Sequence, residues 1–281
     1  MDELNIWPPE TAPQRRSKLV SIEDAISLIP RGGTLGVGGW TFYNTPMALL
    51  GGVVRAEARG LHLACSPGAI GPDMLLSAGC VDRLTTPFLT MEQFGFAPGF
   101  RRRAEAGEIK VFEVDGPAFA CALRAAADDM PTGFIHDSGT DLPSVNPAYY
   151  MRSSRVDSKG RALFEVPALV PDVAFIHAQR GDEYGNLQFL GATYFDQLLA
   201  RASKLVVATV DELVDNATIR SQPRLTKIPG MYVSAVVHQP RSAAPCASHG
   251  LYSADLERIE MYAKMARTPE GAYRYLAENV L

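Results

Sequence analysis

The chain has 281 residues, 47% of them hydrophobic and 21% charged, with a formal net charge of −4. That length supplies ample core for one large or two small domains, and the acidic balance leaves no basic surplus for nucleic acid. Cys65, Cys80, Cys121 and Cys246 are scattered without C-x-x-C spacing, which argues against zinc or a disulfide framework, and no apolar run reaches the ~18 residues of a membrane span.

The opening "MDELNIWPPETAPQRRSKL" is polar and carries no signal core. It is expected to be an extension over 1–17, ahead of a single domain over 18–281 in a cytoplasmic protein. Ser21 begins a helix through "SIEDAISLI", with Asp24 as its capping partner. A strand follows at Thr34–Val37, then a glycine turn, then a helix from Pro46 to about Arg59, because proline suits the first helical position. "LHLAC" is a buried strand, and "SPGAIGPDMLLSAG" a turn with a short helix. "VDRLTTPFL" is a strand, "APGFRRRAEAGE" a helix closed by Gly107, "IKVFEV" a strand and "PAFACALRAAADD" a helix. Residues 137–165 lack periodicity and read as a linker or lid. "DVAFIHA" and "KLVVATV" are apolar strands with the helix "YFDQLLARAS" between them. "VSAVVHQ" is a last strand and "SADLERIEMYAKMAR" a late helix. Strands alternating with helices predict an α/β fold, an open, mostly parallel sheet with helices on both faces.

Three places could hold chemistry, each just past a strand, where open parallel sheets bind ligands. The first is "TLGVGGWTFYNTPMALL", with Gly36, Gly38, Gly39 and Asn44. Its glycines either bring the backbone close to an anion or carbonyl, or let two layers of chain pack tightly. The second is "HAQRGDEYGNLQF", with Gln179 and Asn186, which also fits a simple reverse turn. Its His177 sits in an apolar strand and fits a satisfied core histidine. The third is "TMEQFGFAPGFRRR", where Glu92 stands among Phe94, Phe96 and Phe100. A carboxylate in apolar surroundings has a raised pKa and can serve as acid, base or nucleophile, but the stretch fits equally a surface glutamate on a loop. Glu113 and Asp115 close "IKVFEV" at the same edge. No G-x-S-x-G elbow and no H-x-x-x-H pair is present.

Taken as a set, "GGTLGVGGWTFYNTPMALL", "GAIGPDMLLSAGCVDRL", "MEQFGFAPGFRRRAEAGEI", "ALRAAADDMP", "VPALVPDVAFIHAQRGDEYGNLQ", "KLVVATVDELVDN" and "KIPGMYVSAVVH" resemble the α subunit of the family I coenzyme A transferases, of the glutaconate and 3-oxoacid type. The resemblance implies that superfamily's fold, an obligate β-subunit partner in a heterotetramer, and coenzyme A (CoA) as a substrate with no cofactor and no metal. It implies double displacement between an acyl-CoA and a carboxylic acid, on a glutamate in a Ser-Glu-Asn-Gly type motif of the β chain. No such motif occurs here, so the resemblance assigns this chain no catalytic residue. Its expected part is substrate binding through Gly36, Gly38, Gly39, Asn44, Glu92, Phe94, Gln179 and Asn186, with turn amides facing the thioester oxygen.

Two other readings remain. Related two-chain hydrolases cleave a ring carbon–carbon bond of steroid-derived acyl-CoA and use an α-chain acid near "FEVDGPAF". The candidates here are Glu113, Asp115 and Glu92, whereas Gly116 offers none. A structural or sensor subunit of the same fold is the third reading. Sensors of this kind carry a DNA-binding helix pair upstream, and the ~20 residues before the first helix are too few for one.

Overall fold

The computed structural model describes residues 15–281. The extension predicted over 1–17 therefore lies outside the described residues except for its last three. The first half runs α1 (Ile22–Ser27), β1 (Thr34–Val37), α2 (Met47–Arg55), β2 (Leu61–Cys65), α3 (Ile70–Ser77), β3 (Val81–Thr86), α4 (Pro98–Glu105), β4 (Lys110–Glu113) and α5 (Gly116–Ala127). An insertion follows, with β5 (Thr132–His136), α6 (Leu142–Val145), β6 (Met151–Val156) and β7 (Ala162–Pro167). The second half holds β8 (Val173–Gly181), β9 (Leu187–Gln188), α7 (Asp196–Ala202), β10 (Leu205–Leu213), α8 (Asn216–Ser221), β11 (Thr226–Ile228), β12 (Ala235–His238), α9 (Leu256–Met265) and α10 (Pro269–Asn279).

Seven strands form one parallel sheet in the order β12-β10-β8-β1-β2-β3-β4. β9 and β11 add a short antiparallel flap at the far end of β8. The chain moves outward from β1 through β2, β3 and β4. It then returns to the other side of β1 with β8 and moves outward again. The order therefore reverses between β1 and β8, which opens a crevice at their C-terminal ends.

The sheet is covered on both faces, as its apolar strands require. Alternation sends Leu35, Leu63, Phe175 and Val207 to a core shared with Leu50, Leu75, Ile259 and Tyr275 of the helices. It sends Ala64, Ala174, Ile176 and Ala208 to the opposite core, with Phe119 and Leu199. Ser21 caps α1 as expected, accepting from the Asp24 amide and donating to its carboxyl.

Three expectations are corrected. Residues 137–165 are not without regular structure, since they hold α6, β6 and most of β7. β5, β7 and β6 make a separate three-stranded antiparallel sheet. β6 is exposed at nearly every position, so it carries no apolar alternation to read. The second helix stops at Arg55, because Glu57 turns into the left-handed region at φ 50°. Pro46 stands just before that helix, as its N-cap.

Asp73 of α3 ties two other helices to its own. Its carboxyl is fully buried and accepts from the amides of Gly99 and Phe100, at the start of α4, and from the hydroxyl of Tyr262 in α9. Removing an acceptor strands buried donors, which costs more than the bond itself contributes. Asp73→Ala is expected to lower stability by about 3 kcal/mol or more and Tyr262→Phe by about 1 kcal/mol, read as the shift in urea unfolding midpoint. Equal small losses in both variants would refute that role.

Candidate functional site

At the crevice β1 leads into Gly38 and Gly39. The Gly38 amide donates to Phe175 O at 2.9 Å, and the Gly39 amide donates to Asp196 Oδ1 at 2.8 Å. A Cβ on Gly38 would collide with the Asp196 carboxyl. Gly39 has φ 84°, and a Cβ there would lie 2.6 Å from Asn44 O and 2.7 Å from Tyr43 O. Both glycines are thus required by close packing inside the chain. Gly36 sits within β1, where a Cβ would press on Leu199 and Pro171.

Most of the turn amides are spent inside the chain. Those of Gly38, Gly39, Trp40, Thr41, Tyr43 and Asn44 are each taken by an acceptor within the chain. None of these six is free for a thioester oxygen; of the amides from Gly38 to Asn44, only that of Phe42 has no acceptor among the described residues.

What the turn presents is side chains. The Trp40 ring stacks on Tyr194 at 5.2 Å, and the Tyr43 ring on His249 at 5.2 Å. The Tyr194 hydroxyl meets His249 Nε2 at 2.9 Å and joins the two stacks. Trp40 and Tyr43 are 37% and 42% exposed, so the ladder forms a half-wet aromatic wall. Burial holds the His249 imidazole below its ordinary pKa, hence neutral at neutral pH. Thr41, Asn44 and Tyr194 all have φ between 46° and 52°, a region that costs non-glycine residues roughly 1–2 kcal/mol each. Strain of that kind concentrates at functional sites.

Behind the wall lies a buried polar layer. Alternation puts His177 and Gln179 on the same face of β8, and sheet register sets His177 beside Thr209 of β10. His177 Nδ1 lies 3.2 Å from Thr209 Oγ1 and 3.1 Å from Ser242 Oγ. Its Nε2 lies 2.9 Å from Ser248 Oγ and 3.3 Å from Asp211 Oδ2. Burial works to raise the Asp211 carboxyl, but His177, Ser248 and the Ser242 amide together hold it below the usual value. Gln179 Nε2 donates to Asn44 Oδ1 at 2.9 Å and to Ser248 Oγ at 3.1 Å, and Gln179 Oε1 accepts from the Leu190 amide at 3.1 Å. Asn44 donates to Ala192 O and accepts from the His249 amide. Asn44 and Gln179 are fully buried, and here they hold the two segments that carry Tyr194 and His249.

The other expected residues fall elsewhere. Phe94 is half-buried with its ring 6.2 Å from Phe42, so its loop flanks the turn. Glu92 on that loop is exposed, and no partner among the described residues holds its carboxyl. Glu113 is likewise exposed at the end of β4. Asp115 caps α5, accepting from the Ala118 amide at 2.7 Å. Asn186 donates to Asp182 Oδ2 at 2.8 Å, which closes the turn after β8, and accepts from the Gly230 amide at 3.0 Å, which ties that turn to the segment after β11. All four cysteines are buried. Burial pushes the Cys65 and Cys246 thiols up to about 12 and Cys80 to about 11, so none of these three supplies a thiolate near neutral pH.

Asp196, Tyr194 and His249 were not legible as site residues. Asp196 had one signal, an acid at the start of the helix "YFDQLLARAS". Its carboxyl is fully buried, Oδ2 has no partner among the described residues, and burial raises its pKa to about 7 against the pull of the Gly39 amide.

A model of the coenzyme A transferase family matches residues 19–239 of the chain. An uncharacterised protein of Archaeoglobus fulgidus is 34% identical over 286 residues, covering 99% of this chain, which spans 63% of that protein's length. The cholesterol ring-cleaving hydrolase IpdA subunit of Rhodococcus jostii is 31% identical over 278 residues, covering 94% of this chain and 92% of its own. The A subunit of glutaconate CoA-transferase from Acidaminococcus fermentans is 28% identical over 286 residues, covering 94% and 88%. The crystal structure of that transferase superposes with a TM-score of 0.88 at 25% identity, over 94% of this chain and 89% of the other.

Two outcomes test the Asp196 lock. Gly38→Ala is expected to destabilise by about 2–3 kcal/mol, and Asp196→Ala in the same chain to recover part of that loss, read in a double-mutant cycle of unfolding free energies. Strict additivity would show that the two do not meet. Asp196 has a folded pKa of about 7 against an ordinary 3.8, so the fold favours its protonated form. That contribution is whole below about pH 4 and is lost as pH rises through about 7. Relative to Asp196→Asn, the wild type should lose stability between those values and change no further above them. A pH-independent difference would contradict the assignment.

Proposed function

The chain belongs to the coenzyme A transferase family, and from that premise we propose that it is the α subunit of a two-chain enzyme moving CoA between an acyl-CoA and a carboxylic acid. One observation carries the reading. The crevice end of β1 presents an ordered aromatic wall on a rigid polar footing, while its own carboxyl, Asp196, is buried and bonded to Gly39. The site is built to hold a substrate, and the attacking group comes from a β subunit.

In this proposal a carboxylate oxygen of the partner's glutamate attacks the thioester carbonyl and expels CoA thiolate, leaving an acyl–glutamyl anhydride. The thiolate then attacks the glutamyl carbonyl and releases the acyl group as its carboxylate. A second acid takes the CoA by the same steps in reverse. Each exchange keeps the thioester energy and splits one hard displacement into easier ones. The wall of Trp40, Tyr194, His249 and Tyr43 supports the planar thioester, with the Tyr194–His249 pair offering a side-chain donor to its oxygen. The chain is proposed to work in the cytoplasm as part of a heterotetramer. No described helix is long and apolar enough to cross a membrane.

A second reading, ring carbon–carbon hydrolysis, is favoured by the Rhodococcus relative and by the exposed carboxylates of Glu92 and Glu113 at strand ends. Activity assays separate the two. The isolated chain should show no CoA transfer, and transfer should appear when a β-type chain is added. In the complex Tyr194→Phe should lower kcat/KM about tenfold, the effect of one lost donor of modest strength, while Glu92→Gln and Glu113→Gln leave kcat within about twofold. Turnover by the isolated chain, or carbon–carbon cleavage abolished by either amide variant, would overturn the proposal.

A further inference from the structure

An open groove of about 610 Å³ runs between α4 and the end of α9. One wall carries Arg101 and Arg102, and the other carries Arg267. The Arg102 Nη1 donates to Ala266 O at 2.6 Å, which bridges the two walls. Arg101 Nε binds Glu105 at 2.8 Å, and its guanidinium lies 5.4 Å over the ring of Phe96. Arg267 has neither hydrogen bond nor ion pair among the described residues and is exposed. Three guanidinium groups thus face one groove against a single carboxylate. That excess is unfavourable until an anion enters.

The groove also has a flat apolar face at its mouth. Phe96 is 75% exposed, far more than a ring of its size needs to be. Phe94 lines the same mouth, and its ring packs 6.2 Å from Phe42 of the glycine turn. The groove therefore opens beside the loop whose Phe94 packs on Phe42 of the turn. An aromatic platform beside fork-shaped cations matches a phosphorylated purine nucleotide, with its base on the ring and its phosphates on arginine.

We propose that Arg101, Arg102, Arg267 and Phe96 bind the adenosine 3′,5′-bisphosphate end of coenzyme A, with the pantetheine arm passing Phe94 toward Trp40 and Tyr194. The inference rests on the CoA-transfer reading for its choice of nucleotide. The anion site itself stands on the groove.

The test is calorimetric titration of the full chain with adenosine 3′,5′-bisphosphate. Saturable binding is expected, weakened about tenfold by Arg267→Gln, as loss of one charge-assisted contact predicts, and weakened again by Phe96→Ser. Adenosine, which lacks phosphate, should bind far more weakly. In the two-chain complex Arg267→Gln should raise KM for an acyl-CoA while leaving KM for the matching acyl-pantetheine and kcat unchanged. Unchanged affinity in Arg267→Gln, or equal KM effects on both thioesters, would overturn the groove assignment. Nucleotide binding that is lost in Arg267→Gln, in a complex that transfers no CoA, would keep the groove and reject the transferase reading.

Discussion

The bond between the Gly39 amide and Asp196 Oδ1 is the constraint on which the site depends. It ties the end of β1 to the start of α7. It also accounts for the glycine at 38, since the Asp196 carboxyl occupies the space a Cβ would need. The acid stays out of water and keeps one oxygen without a partner among the described residues, so burial holds it near neutrality, protonated over much of the pH range in which carboxylates are normally charged. The tether places the base of the turn, and the turn in turn places Trp40 and Tyr43.

A second constraint acts from the opposite side. Asn44, Gln179, Ser248 and His177 form a hydrogen-bonded chain that crosses from the turn to β8 and on to the segment carrying His249. Each member is fully buried, so each missing bond would carry the full desolvation penalty. A network of this type adds little net stability, but it admits few alternative arrangements. It offsets the strained backbone of Thr41, Asn44 and Tyr194, which would relax if the surrounding bonds did not hold it. Rigidity at the rings is the property a binding wall needs, because orientation is lost with small displacements.

The alternation of strands and helices was legible because β1, β2, β8 and β10 are buried on both faces and read as apolar runs. The three-stranded insertion was not, since one-sided, exposed strands such as β6 lack that signature. The glycines and the strand-end rule also pointed to the end of β1, where the candidate site is described. The partners that hold it were not legible. Gly39 and Asp196 are 157 positions apart, and Asn44 and Gln179 are 135 apart. Local pattern reads Asp196 as a helix-start acid and says nothing of His249. Asn186 shows the converse, a polar residue in a suggestive cluster whose bonds close its own turn and tie it to Gly230.

In the proposed two-chain enzyme, the crevice at the point of strand reversal and the ordered wall would form one half of the active site. The account places the covalent chemistry on the other half. Intact-mass analysis of the two-chain complex after brief exposure to an acyl-CoA tests that division most directly. The account predicts a CoA adduct, less one water, on the β-type chain and an unchanged mass for the 281-residue chain. An adduct on the 281-residue chain, or turnover to a carbon–carbon cleavage product with no adduct on either chain, would contradict it.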